Sequence, residues 1–429
     1  MRLAALFPVL HRFPVPSALA TLAFLGGPLG CSGDNESGAS DTGLADTMVE
    51  VTPDTSPDTA PEVTPDTSVP DTSKADTEAP DTAPDTVADT QTAVPDTTAD
   101  TTPDTAPDTV TPPPPEVRFV VLGDTGEGND RQRKVAAQIK AKCERDGCDF
   151  AILLGDNIYD AGVESTFDSQ WETKFEEPFR NVNMPFYAVL GNHDNGGFLT
   201  QWLGDLFGGA GAEFERGDFQ VAYTQYSTKF RMPGRTYDFV AGPAHFFGLD
   251  SNDMVWSRLN DDAEARTQIQ MDDFPGRIDG STATWKIAMA HHPYISNGRH
   301  GDAGEYEGLE EGITDLVAAE GWLGDLSGVV TGDGVKEALD DIVCDRVDLF
   351  LAGHDHNRQW LLPTANCPKT TFIVSGAGAK LTEFKGNHPS LFQDDQKAGF
   401  FWIHLKGREL NAEAIDEDGN RQWSHQAFK

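Results

Sequence analysis

The chain has 429 residues, with 70 Asp and Glu against 32 Lys and Arg and a formal net charge of −38. That balance argues against a general nucleic-acid binder, because phosphate contacts are made mainly by Lys and Arg. Length alone allows two or three domains, but residues 32–115 hold 19 acids, one lysine and no Phe, Trp or Tyr, so core-forming sequence is confined to about 314 residues after them, enough for one large domain.

Residues 1–30 read as a signal peptide. Arg2 and Arg12 make the start positive, Ala18 to Leu25 is apolar, and small residues precede Cys31. The apolar run is short and bounded by Pro and Gly, which suits a secretory signal better than a membrane span. Pro28-Leu29-Gly30-Cys31 is similar to a bacterial lipobox, with its leucine one place nearer the cysteine than usual. Two outcomes stay open. Lipid on Cys31 would give membrane anchoring without spanning. Ordinary cleavage nearby would leave Cys31 incidental. The expectation is an exported protein, either held at a bacterial cell envelope or surface or secreted.

Residues 31–115 read as a disordered tether. Pro-Asp-Thr recurs nine times, from Pro53 to Pro107, at irregular spacing, and four prolines from Pro112 close the segment. With almost no apolar surface to bury, such a segment cannot offset its ordering entropy. Proline and like charge favour extension, and a random coil of that length spans roughly 50 Å. A stalk that holds the domain away from a membrane and a neutral spacer are both consistent with this composition.

From Glu116 to Lys429 the texture becomes strand, loop, helix. Val117–Leu122 is a short β-branched run ending in Gly123-Asp124, and Arg131–Lys142 carries apolar residues at helical spacing. Asp149–Leu154 ends in Gly155-Asp156, and Met184–Leu190 ends in Gly191-Asn192-His193. Lys286–Ala290 precedes His291, Val347–Ala352 precedes Gly353-His354, and Thr371–Val374 precedes Ser375-Gly376-Ala377-Gly378. One pattern repeats: an apolar strand, a small residue, then a side chain able to hold a metal. Continuous apolar runs suit strands buried on both faces. Ligands in open α/β sheets sit beyond the carboxyl ends of the strands. Asp124, Asp156, Tyr159, Asn192, His193, His291, His354 and His356 are therefore expected to converge. Oxygen and imidazole donors without thiolate suit Fe, Mn or Zn.

Taken together, Gly123-Asp124-Thr125-Gly126, Gly155-Asp156-Asn157-Ile158-Tyr159, Gly191-Asn192-His193-Asp194, His291-His292-Pro293 and Gly353-His354-Asp355-His356-Asn357 resemble the five motifs of the purple acid phosphatases, within the calcineurin-like metallophosphoesterases. The small tartrate-resistant acid phosphatases are the nearest in kind. The resemblance implies an α/β, four-layer metallophosphoesterase fold, a central β-sandwich flanked by helices. It implies a binuclear metal centre. Asp124, Tyr159 and His356 would bind Fe(III). Asp156 would bridge. Asn192, His291 and His354 would bind Fe(II), Zn or Mn. Other metallophosphoesterases carry Asp-x-His in the first motif; here that place is Gly126, and Tyr159 supplies the missing donor.

By the same resemblance His193 and His300 would contact substrate, with a hydroxide between two metals as nucleophile and the histidines binding phosphate and protonating the leaving alkoxide. Structural roles for both stay open. His292 reads as a supporting or incidental residue, and His245, His388 and His404 as ordinary ones. Residues 301–334 form a Gly- and acid-rich stretch longer than in the small relatives, either a lid or a surface loop. The acidic surface gives little steering of anionic substrates, although two metal ions reverse the local potential. Of the cysteines beyond Cys31, Cys143 with Cys148 and Cys344 with Cys367 is the pairing preferred by proximity, with free thiols as the alternative. The expected function is a monomeric, exported acid phosphatase acting on phosphomonoesters. A phosphodiesterase or nucleotidase on the same metals, or an inactive surface module on the same fold, are the alternatives.

Overall fold

The computed structural model describes residues 114–196, 213–306 and 331–429. The leader, Cys31, the tether and the middle of the 301–334 stretch lie outside the described residues. The described chain forms two seven-stranded sheets.

In the first sheet β1 (Glu116–Leu122), β2 (Phe150–Leu154), β3 (Phe186–Val189) and β4 (Phe230–Arg231) run parallel. On the other side of β1, strands β12 (Gly399–Lys406), β13 (Glu409–Asp416) and β14 (Arg421–Phe428) continue the sheet antiparallel. The second sheet contains β5 (Tyr237–Ala241), β6 (Ala244–Gly248), β7 (Trp285–Met289), β8 (Leu349–Ala352), β9 (Arg358–Leu361), β10 (Thr371–Ser375) and β11 (Ser390–Asp394). Its order is β11-β9-β10-β8-β7-β6-β5, with β6, β7, β8 and β10 parallel.

The strands expected from apolar runs are β1, β2, β3, β7, β8 and β10, each found within two residues of its expected bounds. Alternation shows why they read as continuous apolar runs. Ile287 and Met289 of β7 and Leu351 of β8 join Phe119 and Val121 in the core between the sheets. Ala288, Phe350, Phe372 and Val374 point the other way, into a second apolar layer. That layer is closed by the helices α3 (Ser251–Trp256), α4 (Asp261–Gly280) and α5 (Asp333–Ile342) through Met254, Phe274, Ile278, Val335, Leu339 and Ile342. Each fully buried Val, Leu, Ile or Phe contributes about 1.5–3 kcal/mol, so these two-faced strands hold both layers.

On the outer face of the first sheet lies α1 (Asp130–Asp146). The side chain of Asn129 caps it by accepting from Gln132 N, and Gly147 ends it with a positive φ of 82°. Val135, Ala136 and Ile139 fall on one helical face and pack into the core. Helix, sheet, sheet and helix give the expected four layers. A further helix, α2 (Phe214–Tyr223), lies between β3 and β4 in the chain. Both preferred cysteine pairs are disulfides, Cys143–Cys148 with Cα atoms 5.0 Å apart and Cys344–Cys367 at 5.2 Å.

Candidate metal centre

The strand ends hold their donors through unusual backbone. Asp124 (φ 57°), Asp156 (φ 51°) and His354 (φ 69°) follow β1, β2 and β8, and with Asp345 they are the non-glycine residues of positive φ among the described residues. The left-handed region costs a non-glycine residue about 1–2 kcal/mol and persists where the surroundings over-determine it. Here they do: Asp124 N donates to Gly155 O at 2.9 Å, and His354 N donates to Asp124 Oδ2 at 3.0 Å. Glycine would relax these positions but would remove the donor side chains.

The structure brings the seven expected metal-binding side chains into two adjoining groups. In the first, Tyr159 Oη lies 3.1 Å from Asp124 Oδ1 and 3.2 Å from His356 Nε2, and His356 Nε2 lies 3.5 Å from Asp124 Oδ1. In the second, His291 Nε2 lies 2.8 Å from Asn192 Oδ1 and 3.2 Å from His354 Nδ1. Asp156 joins them: its Oδ1 lies 3.5 Å from His291 Nε2, and donor atoms of Asp124, Asp156 and His291 all fall within 4.8 Å of one another.

The chemistry of these donors fits metal ions. His291 Nδ1 donates to Leu154 O at 2.8 Å, which leaves the Nε2 lone pair aimed at Asn192 Oδ1. Lone pairs so close together are resolved by a cation between them. The electrostatics say the same. Burial, with the Asp156 charge added, pushes the Asp124 carboxyl up to about 8. Burial opposes ionisation of Asp156 as well, but His291 and His193 outweigh it and hold that carboxyl at about 2. Burial and both carboxylates push the Tyr159 phenol well above its ordinary range. Burial and the crowding of imidazoles, His300 first, push His354 well down and His356 to about 3. Asp124 and Tyr159, forced to keep protons beside His354 and His356 forced to shed them, lack positive charge, which metal ions supply.

Gly126 is needed for its close approach. A Cβ atom there would lie 2.4 Å from the backbone of Asn157 and Ile158, so no side chain fits at that place. Gly191 is similar: its Cβ would fall 2.2 Å from Asp156 Oδ1.

His193 and His300, both half-exposed, flank different groups of donors. His193 packs on the Tyr159 ring with centroids 4.6 Å apart, and its N–H donates to Asp156 Oδ1 at 3.0 Å. His300 lies 4.1 Å from the His354 ring, and its N–H donates to Asp355 Oδ1 at 2.9 Å. His292 is buried 4.6 Å from the His354 ring and meets Ser251 Oγ at 2.9 Å, so it backs a donor directly. His245 and His404 pair with Asp238 and Glu116 near the surface, 2.9 and 3.0 Å away.

Two residues near the donors carried no expectation from sequence. Fully buried Asp194 accepts from Gly191 N at 2.8 Å, Ile158 N at 3.0 Å and Gln220 Nε2 at 2.7 Å, and so ties the second motif to the third. Lys380 places its ammonium 3.4 Å above the Tyr159 ring and pairs with Glu127 at 2.7 Å. The acid in Gly191-Asn192-His193-Asp194 was the available sign of the first; nothing local signals the second.

Comparison with known proteins agrees with this geometry. The calcineurin-like phosphoesterase family profile matches residues 117–358. The chain is 25% identical over 322 residues to purple acid phosphatase 7 of Arabidopsis thaliana, covering 70% of this chain and 83% of that protein. It is 24% identical over 333 residues to tartrate-resistant acid phosphatase type 5 of Sus scrofa, covering 72% of this chain and 86% of that one. Among solved structures it resembles GAP50, the anchor in the inner membrane complex of Plasmodium, with a TM-score of 0.51 at 20% identity over 73% of this chain and 89% of that chain; that likeness concerns the fold. With more than half of its length inside the matched profile and purple acid phosphatases among its homologues, the chain belongs to the calcineurin-like phosphoesterases.

Proposed function

We propose that the chain is an exported acid phosphatase that hydrolyses phosphomonoesters at a binuclear metal centre. One observation carries the reading: seven donors from five strand ends meet as two adjoining groups with Asp156 between them. In this assignment Asp124, Tyr159 and His356 would hold Fe(III), Asn192, His291 and His354 would hold Fe(II), Zn or Mn, and Asp156 would serve both ions. The hard, anionic phenolate of Tyr159 favours the ferric ion at the first position. Such a pair supplies a nucleophile from water at acidic pH and a clamp for phosphoryl oxygens.

The chain's own side chains supply the rest. His193 and His300 stand beside the two donor groups, exposed enough to meet a substrate. They bind phosphoryl oxygens and give a proton to the leaving alkoxide. Asp355 holds His300 by its backbone N–H, and Asp156 holds His193 in the same way. Export rests on the positive, apolar start of the sequence before Cys31. No described helix is long and apolar enough to cross a membrane.

The test is a rate comparison on the purified full chain with its metals counted. The expected result is two metal ions per chain and faster hydrolysis of an aryl phosphate monoester than of the matching diester. A faster diester would overturn the monoester assignment and leave the family assignment standing.

A further inference from the structure

His300 lies in the segment after β7 that runs from Ser296 to Asp302. Asp302 closes that segment on itself, its Oδ1 accepting from Ser296 N at 2.8 Å. The same carboxylate then reaches across the fold: His388 Nε2 lies 3.0 Å from Oδ1 and 2.8 Å from Oδ2. A carboxylate accepts, so Nε2 carries the proton. The backbone near His388 is already fixed by buried Asn297, whose amide donates to His388 O at 3.0 Å and whose backbone carbonyl accepts from Lys385 N at 2.8 Å. The His388 imidazole is therefore not needed to hold its own backbone. It adds one link, to a residue two places beyond His300. On the other side His300 N is held by Asp355.

We propose that Asp302 and His388 form a positioning clasp for His300, fixing the reach of its imidazole toward the leaving-group oxygen. The inference rests on the reading of His300 as the proton donor. In that step a water-derived oxygen bonds to phosphorus, the P–O bond to the leaving group breaks, and the proton of the His300 imidazolium goes to the departing oxygen. The side chains of Asp302 and His388 are 26% and 33% exposed. Ion pairs at that exposure add little to stability, and truncating them opens no core cavity. Their value lies in geometry, where a displacement of about 1 Å costs roughly a hundredfold in rate.

The experiment uses the full-length metallated enzyme and its His388→Ala, Asp302→Asn, His300→Ala and His300→Ala/His388→Ala variants. Two probes are compared, p-nitrophenyl phosphate, whose leaving group needs little protonation, and an alkyl phosphate, whose leaving group needs it fully. His388→Ala and Asp302→Asn are expected to lower kcat on the alkyl phosphate roughly tenfold or more, and on p-nitrophenyl phosphate less than about twofold, with metal content and Tm unchanged. In the His300→Ala background His388→Ala is expected to add no further loss. Equal losses on both substrates, a full further loss in that background, or no loss at all would overturn the clasp. If His300→Ala alone shows no leaving-group dependence, the proton-donor reading has failed and the clasp falls with it, a result visible in that single variant.

Discussion

The backbone N–H of Tyr159 donates to the carbonyl of Gly126 at 2.9 Å, and the space above Gly126 is filled by the backbone of Asn157 and Ile158. The place where other metallophosphoesterases carry a histidine is thus closed to any side chain. The segment that closes it carries the phenol whose oxygen lies 3.1 Å from Asp124 Oδ1. The glycine and the tyrosine are two halves of one arrangement, and the first motif cannot regain a histidine without displacing the second.

Gly126→Ala is therefore expected to be costly out of proportion to its size. A methyl group 2.4 Å from backbone atoms forces the second motif outward, with a destabilisation of about 1–3 kcal/mol, as for other overpacked sites. Chemical denaturation and metal analysis check this. A stable, fully metallated variant would show that the loop yields freely.

Asp194→Asn is expected to lower stability by about 1–3 kcal/mol and to reduce bound metal. The carboxylate accepts from Gly191 N and Ile158 N on one side and Gln220 Nε2 on the other. An amide turns one acceptor into a donor facing an N–H group. Tm and metal content read the effect, and an unchanged pair of values would remove Asp194 from the account of the site.

The donor-bearing strand ends were legible because their signal is local: an apolar run, a small residue and a donor, repeated. β14 was not, because it alternates exposed polar residues such as Gln422 and Ser424 with half-buried ones and has no apolar run. β13 beside it and β12 beyond that end in turns rather than donors, so the pattern that exposed β1 and β8 passed over them. The role of Asp194 depends on donors from residues 158 and 220. The link from Asp302 to His388 crosses 86 residues. His388 looked ordinary in sequence because its partner is defined only by the fold.

Metal removal should weaken the folded state. Asp124 and Asp156 are buried beside the Tyr159 phenol, and ions that bind only the folded chain stabilise it by mass action, about 2.7 kcal/mol at a hundredfold excess over Kd. Dialysis against a chelator is expected to lower Tm by several degrees, with recovery on returning metal. An unchanged Tm on complete removal would show that the buried donors are satisfied without ions.

A chain beginning at residue 114 should keep its phosphatase activity. All seven candidate metal-binding residues and both histidines proposed to contact substrate lie beyond that point, and β1 begins at Glu116. Rate per metallated molecule is the measurement. A soluble, metallated but inactive chain would give residues 1–113 a part in the reaction.

The most direct test of the ferric site assigned to Tyr159 is the visible spectrum of the metallated protein beside that of Tyr159→Phe. The substitution keeps the ring against His193 and removes only the oxygen near Asp124 and His356. Phenolate on a ferric ion absorbs visible light; a phenol packed in the core does not. The expected result is a coloured, iron-containing wild type and a folded variant that has lost the band and holds iron less tightly. A colourless wild type without iron, or a variant with the band unchanged, would contradict the assignment of Tyr159 and Fe(III).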